Sequence, residues 1–141
     1  STTSGAATAC YDRGGLDAGL AVIGVDSDQW NVYTTTDSTL KDAASTIITS
    51  MLKDVTYSLE YLLACIDDGS IQWGNLVSFG LAERSVCLAE NEHYDETVSA
   101  EVRGIVDEYA QKVANGEITP KGCVTYFNSD VAAFENWRDN G

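Results

Sequence analysis

The stretch that decides the fold is Leu20-Ala-Val-Ile-Gly-Val-Asp-Ser-Asp-Gln29, an apolar run followed at once by a polar loop. Continuous apolar runs of this length, closed by polar turn residues, are typical of strands buried on both faces, as in parallel sheets. In open α/β sheets, ligands bind beyond the carboxyl ends of the strands. The stretch therefore predicts a strand over 20–25 and, in Asp26 and Asp28, candidate ligand-binding carboxylates.

The segments around this strand alternate between helical and strand patterns. The hydrophobic periodicity predicts a helix over 4–13 that stops at Gly14-Gly15, a possible short strand over 47–49, a helix over 52–66, a strand over 76–81, and a helix from Asp95 or Thr97 to Asn115-Gly116. This order favours an α/β fold with a parallel sheet. Two or three convincing strands make a narrow sheet, so either another chain or segment completes it, or weak strands escape the pattern.

Composition and charge restrict the partners of this chain. Its 141 residues fit one domain, and its formal net charge is −14. An acidic surface repels phosphate backbones and anionic lipid headgroups, so we expect no nucleic-acid binding and no membrane role driven by basic residues. No apolar run approaches the roughly 20 residues that span a bilayer. The residues 1–5 lack the features of a signal peptide, so we expect a mature product or a fragment.

The four cysteines, Cys10, Cys65, Cys87 and Cys123, are widely spaced, and the single histidine is His93. Zinc sites usually carry paired ligands two to four residues apart, so no metal site is expected. An even cysteine count in an acidic chain would fit two disulfides if the protein is secreted. Three connectivities are possible, of which Cys10–Cys65 with Cys87–Cys123 is our working pairing. Four buried free thiols are the alternative.

Asp26 and Trp30 are the residues of the polar loop whose chemistry suits a small ligand. An ionised aspartate has two acceptor oxygens and can take both hydroxyls of a diol, as in a ribose. The alternative is that Asp26 caps a following turn. Trp30 can stack on a base or sugar, or it can pack beneath its own loop. Phe79, at the end of the predicted strand over 76–81, can face the same cleft.

Catalysis has little support in this sequence. Nucleophilic catalysis needs a base within reach of the nucleophile, and His93 lies in an acidic stretch beside Tyr94 and Asp95. The pattern predicts a surface histidine, and neither a nucleophile elbow nor a phosphate-binding loop is present. We expect a protein that is not an enzyme and that needs no cofactor.

Four motifs in one order carry a family resemblance. They are residues 22–29, Thr49-Ser-Met-Leu-Lys-Asp-Val55, Gly80-Leu81 after the entry Gly74-Asn-Leu-Val77, and Val113-Ala-Asn-Gly-Glu-Ile118. Together they resemble the C-terminal half of the basic membrane lipoprotein family. Its members are nucleoside-binding components of bacterial ABC importers with a type I periplasmic-binding fold.

The resemblance implies a fold and a set of site residues. Residues 1–120 would form a Rossmann-like lobe with a parallel sheet, incomplete without an N-terminal half or a second chain. Asp26 would contact ribose hydroxyls, and Lys53 would add a second polar contact, unless it is simply an exposed lysine in the first turn of a helix. Gly5 corresponds to a glycine-rich turn of the family, but it is the only glycine in residues 1–5.

Residues 121–141 extend past the family pattern and contain Phe127, Phe134 and Trp137. We expect this extension either to pack on its own domain, held by Cys123, or to dock a second chain. The sequence as a whole predicts part of an extracytoplasmic (periplasmic, cell-surface or secreted) solute-binding protein for a nucleoside-like molecule delivered to an ABC importer. The alternative is an extracellular structural protein that self-assembles into homo-oligomers on the same scaffold.

Overall fold

A computed structural model describes residues 2–36, 39–120 and 131–140 of the chain. Its elements, in chain order, are α1 (Thr2–Tyr11), a 3-10 turn (Gly15–Ala18), β1 (Val22–Asp26), α2 (Gln29–Thr35), α3 (Lys41–Ala44), β2 (Ile47–Lys53), α4 (Val55–Asp67), β3 (Val86–Leu88), α5 (Glu92–Thr97), α6 (Ala100–Ala114) and α7 (Val131–Asn140). The chain is α/β and forms an incomplete Rossmann-like lobe with an open three-stranded sheet. The predicted fold class is confirmed at this level.

The sheet has the order β1-β2-β3 and is only partly parallel. β1 runs parallel to β2, with Gly24 opposite Ser50 and Asp26 opposite Leu52. β3 runs antiparallel to β2, with Lys53 opposite Val86. The prediction of a parallel sheet is therefore right for the first two strands and wrong for the third.

The strand predicted over 76–81 does not form. That stretch is irregular and pairs with no strand, and Leu76 within it is 98% exposed. The strand that completes the sheet lies a few residues later, at Val86–Leu88. Three residues are too short to show a period, so the alternation rule cannot detect β3.

Two helix boundaries also differ from the prediction. Leu52 and Lys53 belong to β2, and α4 begins only at Val55, because Asp54 caps it by accepting a hydrogen bond from the Tyr57 amide at 2.8 Å. The long predicted C-terminal helix is split into α5 and α6, because Ser99 caps a new start at Ala100.

The core lies between the first strands and the helices α1, α2 and α3. Its buried residues are Ala7, Tyr33, Ala43, Ala44 and Ile47, with Val22, Trp30 and Leu40 packed against them. By contrast, α4 and α6 contain no buried residue. Leu63 on α4 is 60% exposed and Ile105 on α6 is 50% exposed, and Ile23 on β1 is 60% exposed. Several apolar faces of this lobe are thus left uncovered by the residues that the structure describes.

The described cysteines Cys10, Cys65 and Cys87 are free thiols, all half-buried. The predicted pairing of Cys10 with Cys65 is not formed: Cys10 lies on α1, which packs on α3 and β1, whereas Cys65 lies on α4. The pairing of Cys87 with Cys123 involves a residue outside the described ranges.

The C-terminal extension is described only over α7. Trp137 on this helix is 59% exposed. Phe127 and the side chain of Phe134 lie outside the described part, so the aromatic anchor predicted there stays a prediction. Among the residues that the structure describes, no helix has the length and apolarity to cross a bilayer.

Candidate ligand-binding site

Asp26 and Lys53 come together at the carboxyl ends of two adjacent parallel strands. Asp26 is the last residue of β1, and Lys53 is the last residue of β2. The register places Asp26 opposite Leu52, directly beside Lys53. Both residues line one cavity of about 570 Å³, whose other lining residues are Met51, Leu52, Val55, Ser58, Phe79, Ser85 and Val86. The sequence motifs that contain the two residues thus meet in one place.

Asp26 has an unusual backbone and a carboxylate open to solvent. Its φ is 73°, in the left-handed region that favours glycine. The residue is exposed, and no described residue donates a hydrogen bond to its carboxylate. Both carboxylate oxygens are therefore open to an incoming donor. The alternative interpretation, that Asp26 caps the following turn, is wrong because Asp28 performs that role.

The carboxylate of Asp28 is occupied by the protein itself. It accepts a hydrogen bond from the Asn31 amide at 3.1 Å and caps α2. The side-chain nitrogen of Asn91 donates to the two oxygens of Asp28, at 3.0 and 2.9 Å. The structure thus assigns Asp28 to holding two helix starts, and Asp28 does not line the cavity of Asp26 and Lys53. This corrects the expectation of a ligand contact.

Trp30 lies away from the cavity, on the core side of the lobe. It is half-buried and packs against the hydrophobic core. Its ring stacks on His93, with centroids 5.3 Å apart and planes within 3° of parallel. The Nε2 atom of His93 lies 3.0 Å from the carbonyl oxygen of Ser45. The packing interpretation of Trp30 is therefore the better one. His93 was predicted to be a surface histidine, and the structure shows it half-buried and stacked on Trp30.

Gly5 belongs to α1 rather than to a ligand-binding turn. It is exposed, and a Cβ added there would meet no atom within 4 Å. The neighbouring Thr2 and Thr3 line a second depression, which Asp26 also borders. The predicted role of Gly5 depends on a close approach of ligand to backbone, and nothing in the local geometry requires glycine at this position.

Phe79 forms one wall of the cavity, although it does not lie on a strand. It is half-buried, and its ring meets Tyr61 of α4 edge-to-face, with centroids 5.4 Å apart. Ser58 and Ser85 also line the cavity but were missed by the sequence reasoning. Ser85 lies just before the short strand β3, and Ser58 follows the late start of α4, so no local pattern marks either residue.

The cavity combines an apolar lining with two charges of opposite sign. Met51, Val55 and Val86 supply apolar surface, while Asp26 and Lys53 supply an acceptor and a donor. Concave sites with few polar groups on an apolar lining are typical of small-molecule binding. No group of three or more His, Cys, Asp or Glu side chains able to hold a metal occurs in the described ranges.

Two curated proteins resemble the chain, and no family model matches it. Both are named CD4+ T-cell-stimulating antigen. The protein of Listeria monocytogenes is 35% identical over 97 residues, which cover 69% of this chain and 26% of the relative. The protein of Listeria innocua is 34% identical over 97 residues, with the same coverage of each chain. The matched segment thus spans about a quarter of the length of these relatives, whose name specifies no ligand and no catalytic activity.

Proposed function

We propose that this chain forms one wall of a nucleoside-binding site in an extracytoplasmic solute-binding protein that serves an ABC importer. The observation that carries the proposal is the meeting of Asp26, Lys53 and Phe79 on one cavity of about 570 Å³. Asp26 and Lys53 each belong to a motif that resembles the basic membrane lipoprotein family, and Phe79 directly precedes the Gly80-Leu81 motif. The family's pattern of polar contacts is therefore compatible with the geometry of this lobe.

The three residues suit different parts of a nucleoside. The carboxylate of Asp26 has two acceptor oxygens, which match the two adjacent hydroxyls of ribose. Lys53 has three donors on a flexible stem and suits a ring nitrogen or a ribose oxygen. Phe79 offers an aromatic surface beside these polar groups, on which a purine can stack. The remaining lining offers apolar surface to the faces of the base and sugar.

The exposed apolar faces of the lobe favour the proposal that another lobe or chain forms the second wall of the site. A parallel sheet normally carries helices on both faces, yet Ile23, Val25 and Met51 on one face of this sheet are 60%, 41% and 47% exposed. The cavity itself is open to solvent on one side. In the proposal, closure of a second lobe over Asp26 and Lys53 completes the ligand's enclosure.

The proposal is tested by titrating adenosine, guanosine and inosine into the ¹⁵N-labelled chain and following amide chemical shifts. We expect shift changes that saturate and concentrate at residues 26, 53 and 79. Asp26→Asn and Lys53→Met should each weaken binding by about 10- to 150-fold, because each removes a charge-assisted hydrogen bond of about 1.5–3 kcal/mol. Asp67→Asn, on the exposed end of α4, serves as the matched control and should bind like the original chain. The absence of any saturating shift with all three nucleosides would reject the nucleoside proposal.

A second candidate function is an interaction protein that self-assembles outside the cell. The specific observation in its favour is the exposure of apolar side chains on α4 and α6, including Leu59 at 55% and Val102 at 47%. Against it stands the net charge of −14, which makes identical chains repel each other. Sedimentation of the chain at low and high salt separates the two: assembly that strengthens with salt supports the second function, and a monomer at both salt concentrations rejects it.

A further inference from the structure

The backbone of Asp26 lies in a left-handed conformation that residues other than glycine adopt uncommonly. Its φ of 73° is left-handed, and in the described residues only one other residue besides glycine, Arg84, has a positive φ. Such conformations cost free energy and persist only where the surrounding structure imposes them; they cluster at functional sites. Something near Asp26 must therefore hold it in place.

Two hydrogen bonds of Gln29 bracket Asp26. The side-chain Nε2 of Gln29 donates to the carbonyl oxygen of Val25 at 2.9 Å, directly before Asp26. The backbone amide of Gln29 donates to the hydroxyl oxygen of Ser50 at 3.1 Å, on the neighbouring strand. We call this pair, Gln29 with Ser50, the clasp. It closes the loop over residues 25–29 and fixes both ends of the turn that contains Asp26.

The Ser50 hydroxyl can accept the hydrogen bond from the Gln29 amide only because residue 24 is glycine. Ser50 is fully buried, and it lies opposite Gly24 in the register of β1 and β2. A Cβ added to Gly24 would stand 2.3 Å from the Ser50 hydroxyl oxygen, closer than real side chains allow. The glycine of the Gly-Val-Asp motif therefore makes room for the hydroxyl that holds the turn. The Gly-Val-Asp motif would thus serve the clasp through Gly24 and ligand binding through Asp26.

The glutamine side chain at position 29 lowers the stability of the fold. Its Oε1 atom is buried and has no hydrogen-bond partner among the described residues. A buried acceptor without a partner is unfavourable, and an apolar side chain of similar length would avoid the cost. The amide nitrogen on the same side chain is the part that contacts Val25. The position thus retains an amide whose one satisfied bond is the bond that closes the turn.

We infer that Gln29 and Ser50 are positioning residues that hold Asp26 in its left-handed conformation and aim its carboxylate into the cavity. Their effect on ligand affinity rests on the proposed function. Their effect on the backbone of Asp26 does not, and is measurable without any ligand. Asp26 is the group that contacts the ligand, and the clasp acts through it.

The first test measures the backbone at residue 26 by NMR in the full 141-residue chain. A positive φ gives a strong nuclear Overhauser effect between the amide and Hα protons of the same residue, together with characteristic Cα and Cβ shifts. We expect Gln29→Met and Ser50→Ala to remove this signature. The matched control is Thr49→Val, which deletes another buried hydroxyl of β2, the one that donates to Ala89 at 2.9 Å, and should leave the signature intact. Retention of the signature in both clasp variants overturns the inference.

The second test is a double-mutant cycle on thermal stability. Asp26→Gly removes the strain of a left-handed side chain, so it should raise Tm by about 3 °C in the original chain. In the Gln29→Met background the backbone is already relaxed, so the same substitution should give no rise. A merely structural role for Gln29 predicts equal shifts in the two backgrounds, since independent sites add. Equal shifts therefore contradict the clasp.

The third test separates the clasp from the nucleoside proposal. If adenosine binds the original chain, Gln29→Met should weaken adenosine binding about tenfold, whereas Thr49→Val should leave it unchanged. Equal affinities of the two variants for adenosine would show that the clasp does not act on the site. If adenosine binds none of the chains but the cycle shows coupling, the nucleoside proposal fails and the backbone inference stands.

Discussion

The side chain of Asn91 joins two helix starts by donating to both carboxylate oxygens of Asp28, 63 residues away in sequence. Asp28 caps α2 through the Asn31 amide at 3.1 Å, and Asn91 caps α5 through the Tyr94 amide at 2.9 Å. One contact thus ties the loop after β1 to the start of α5. It also explains why Asp28, unlike Asp26, has little capacity left for a ligand.

Loss of this contact should destabilise the chain while sparing the cavity. Asp28→Ala should lower the free energy of unfolding by about 2 kcal/mol, because it removes a helix cap and a charge-assisted hydrogen bond. Urea unfolding measures the effect, and Asn91→Ala should show a similar loss. The double variant should lose less than the sum, since both substitutions break the same bond. Strictly additive losses would contradict the shared role.

The uncovered and buried apolar residues should respond very differently to truncation. Ile47 is fully buried, so Ile47→Ala should cost about 2–5 kcal/mol in urea unfolding. Ile105 on α6 is 50% exposed, so Ile105→Ala should cost less than about 1 kcal/mol. The two substitutions remove the same atoms and differ only in burial. Comparable losses at the two sites would mean that α6 is covered in solution, by another part of the protein or by a second copy.

The three described cysteines should react as thiols without prior reduction. Burial is the main factor that raises the pKa of the Cys87 thiol, and the neighbouring Asp54 carboxylate raises this pKa further. The reactive species is the thiolate, so Cys87 should alkylate more slowly in the native chain than in the denatured chain. Mass spectrometry after native alkylation should find label on Cys10 and Cys65. Protection of both until a reductant is added would favour the disulfide between them.

Alkaline pH should weaken the fold through Tyr94. The residue is 5% exposed, and burial is the main factor that raises the pKa of its phenol above the ordinary value of 10.0, with the Asp107 carboxylate adding to the shift. A group with a raised folded pKa contributes stability that is complete below its unfolded pKa and is lost as pH rises through the folded pKa. The free energies of unfolding of the original chain and of Tyr94→Phe should therefore diverge above about pH 10, and the Phe variant should lose less stability as pH rises. Parallel curves would exclude Tyr94 as the cause.

The parts of the fold that the sequence predicts well are those whose signal is local. The strand β1 is a continuous apolar run, and its polar loop follows directly, so both the strand and the position of Asp26 are predicted from adjacent residues. The helices α4 and α6 have clear periodicity, although their starts move because Asp54 and Ser99 cap them. The periodic stripe of α6 nevertheless faces solvent in this chain. Periodicity therefore identifies an apolar face but not what covers it.

The parts that the sequence misses depend on contacts between distant residues. The partner of Asp28 is Asn91, and no rule of spacing connects positions so far apart. The strand β3 is defined by its pairing with Met51, Leu52 and Lys53 rather than by its own three residues. Trp30 was predicted at the ligand site and His93 at the surface. Their stacking on each other instead places both residues on the packed side of the lobe.

The most direct test of the central claim compares adenosine with 2′,3′-dideoxyadenosine, which lacks only the adjacent 2′ and 3′ hydroxyls of the ribose. If the Asp26 carboxylate binds the ribose diol, adenosine should bind the chain at least about tenfold more tightly, because each hydrogen bond to a carboxylate is worth about 1.5–3 kcal/mol. In Asp26→Asn this ratio should fall sharply, while Asp67→Asn keeps it. Equal dissociation constants for the two nucleosides in the original chain would contradict the account.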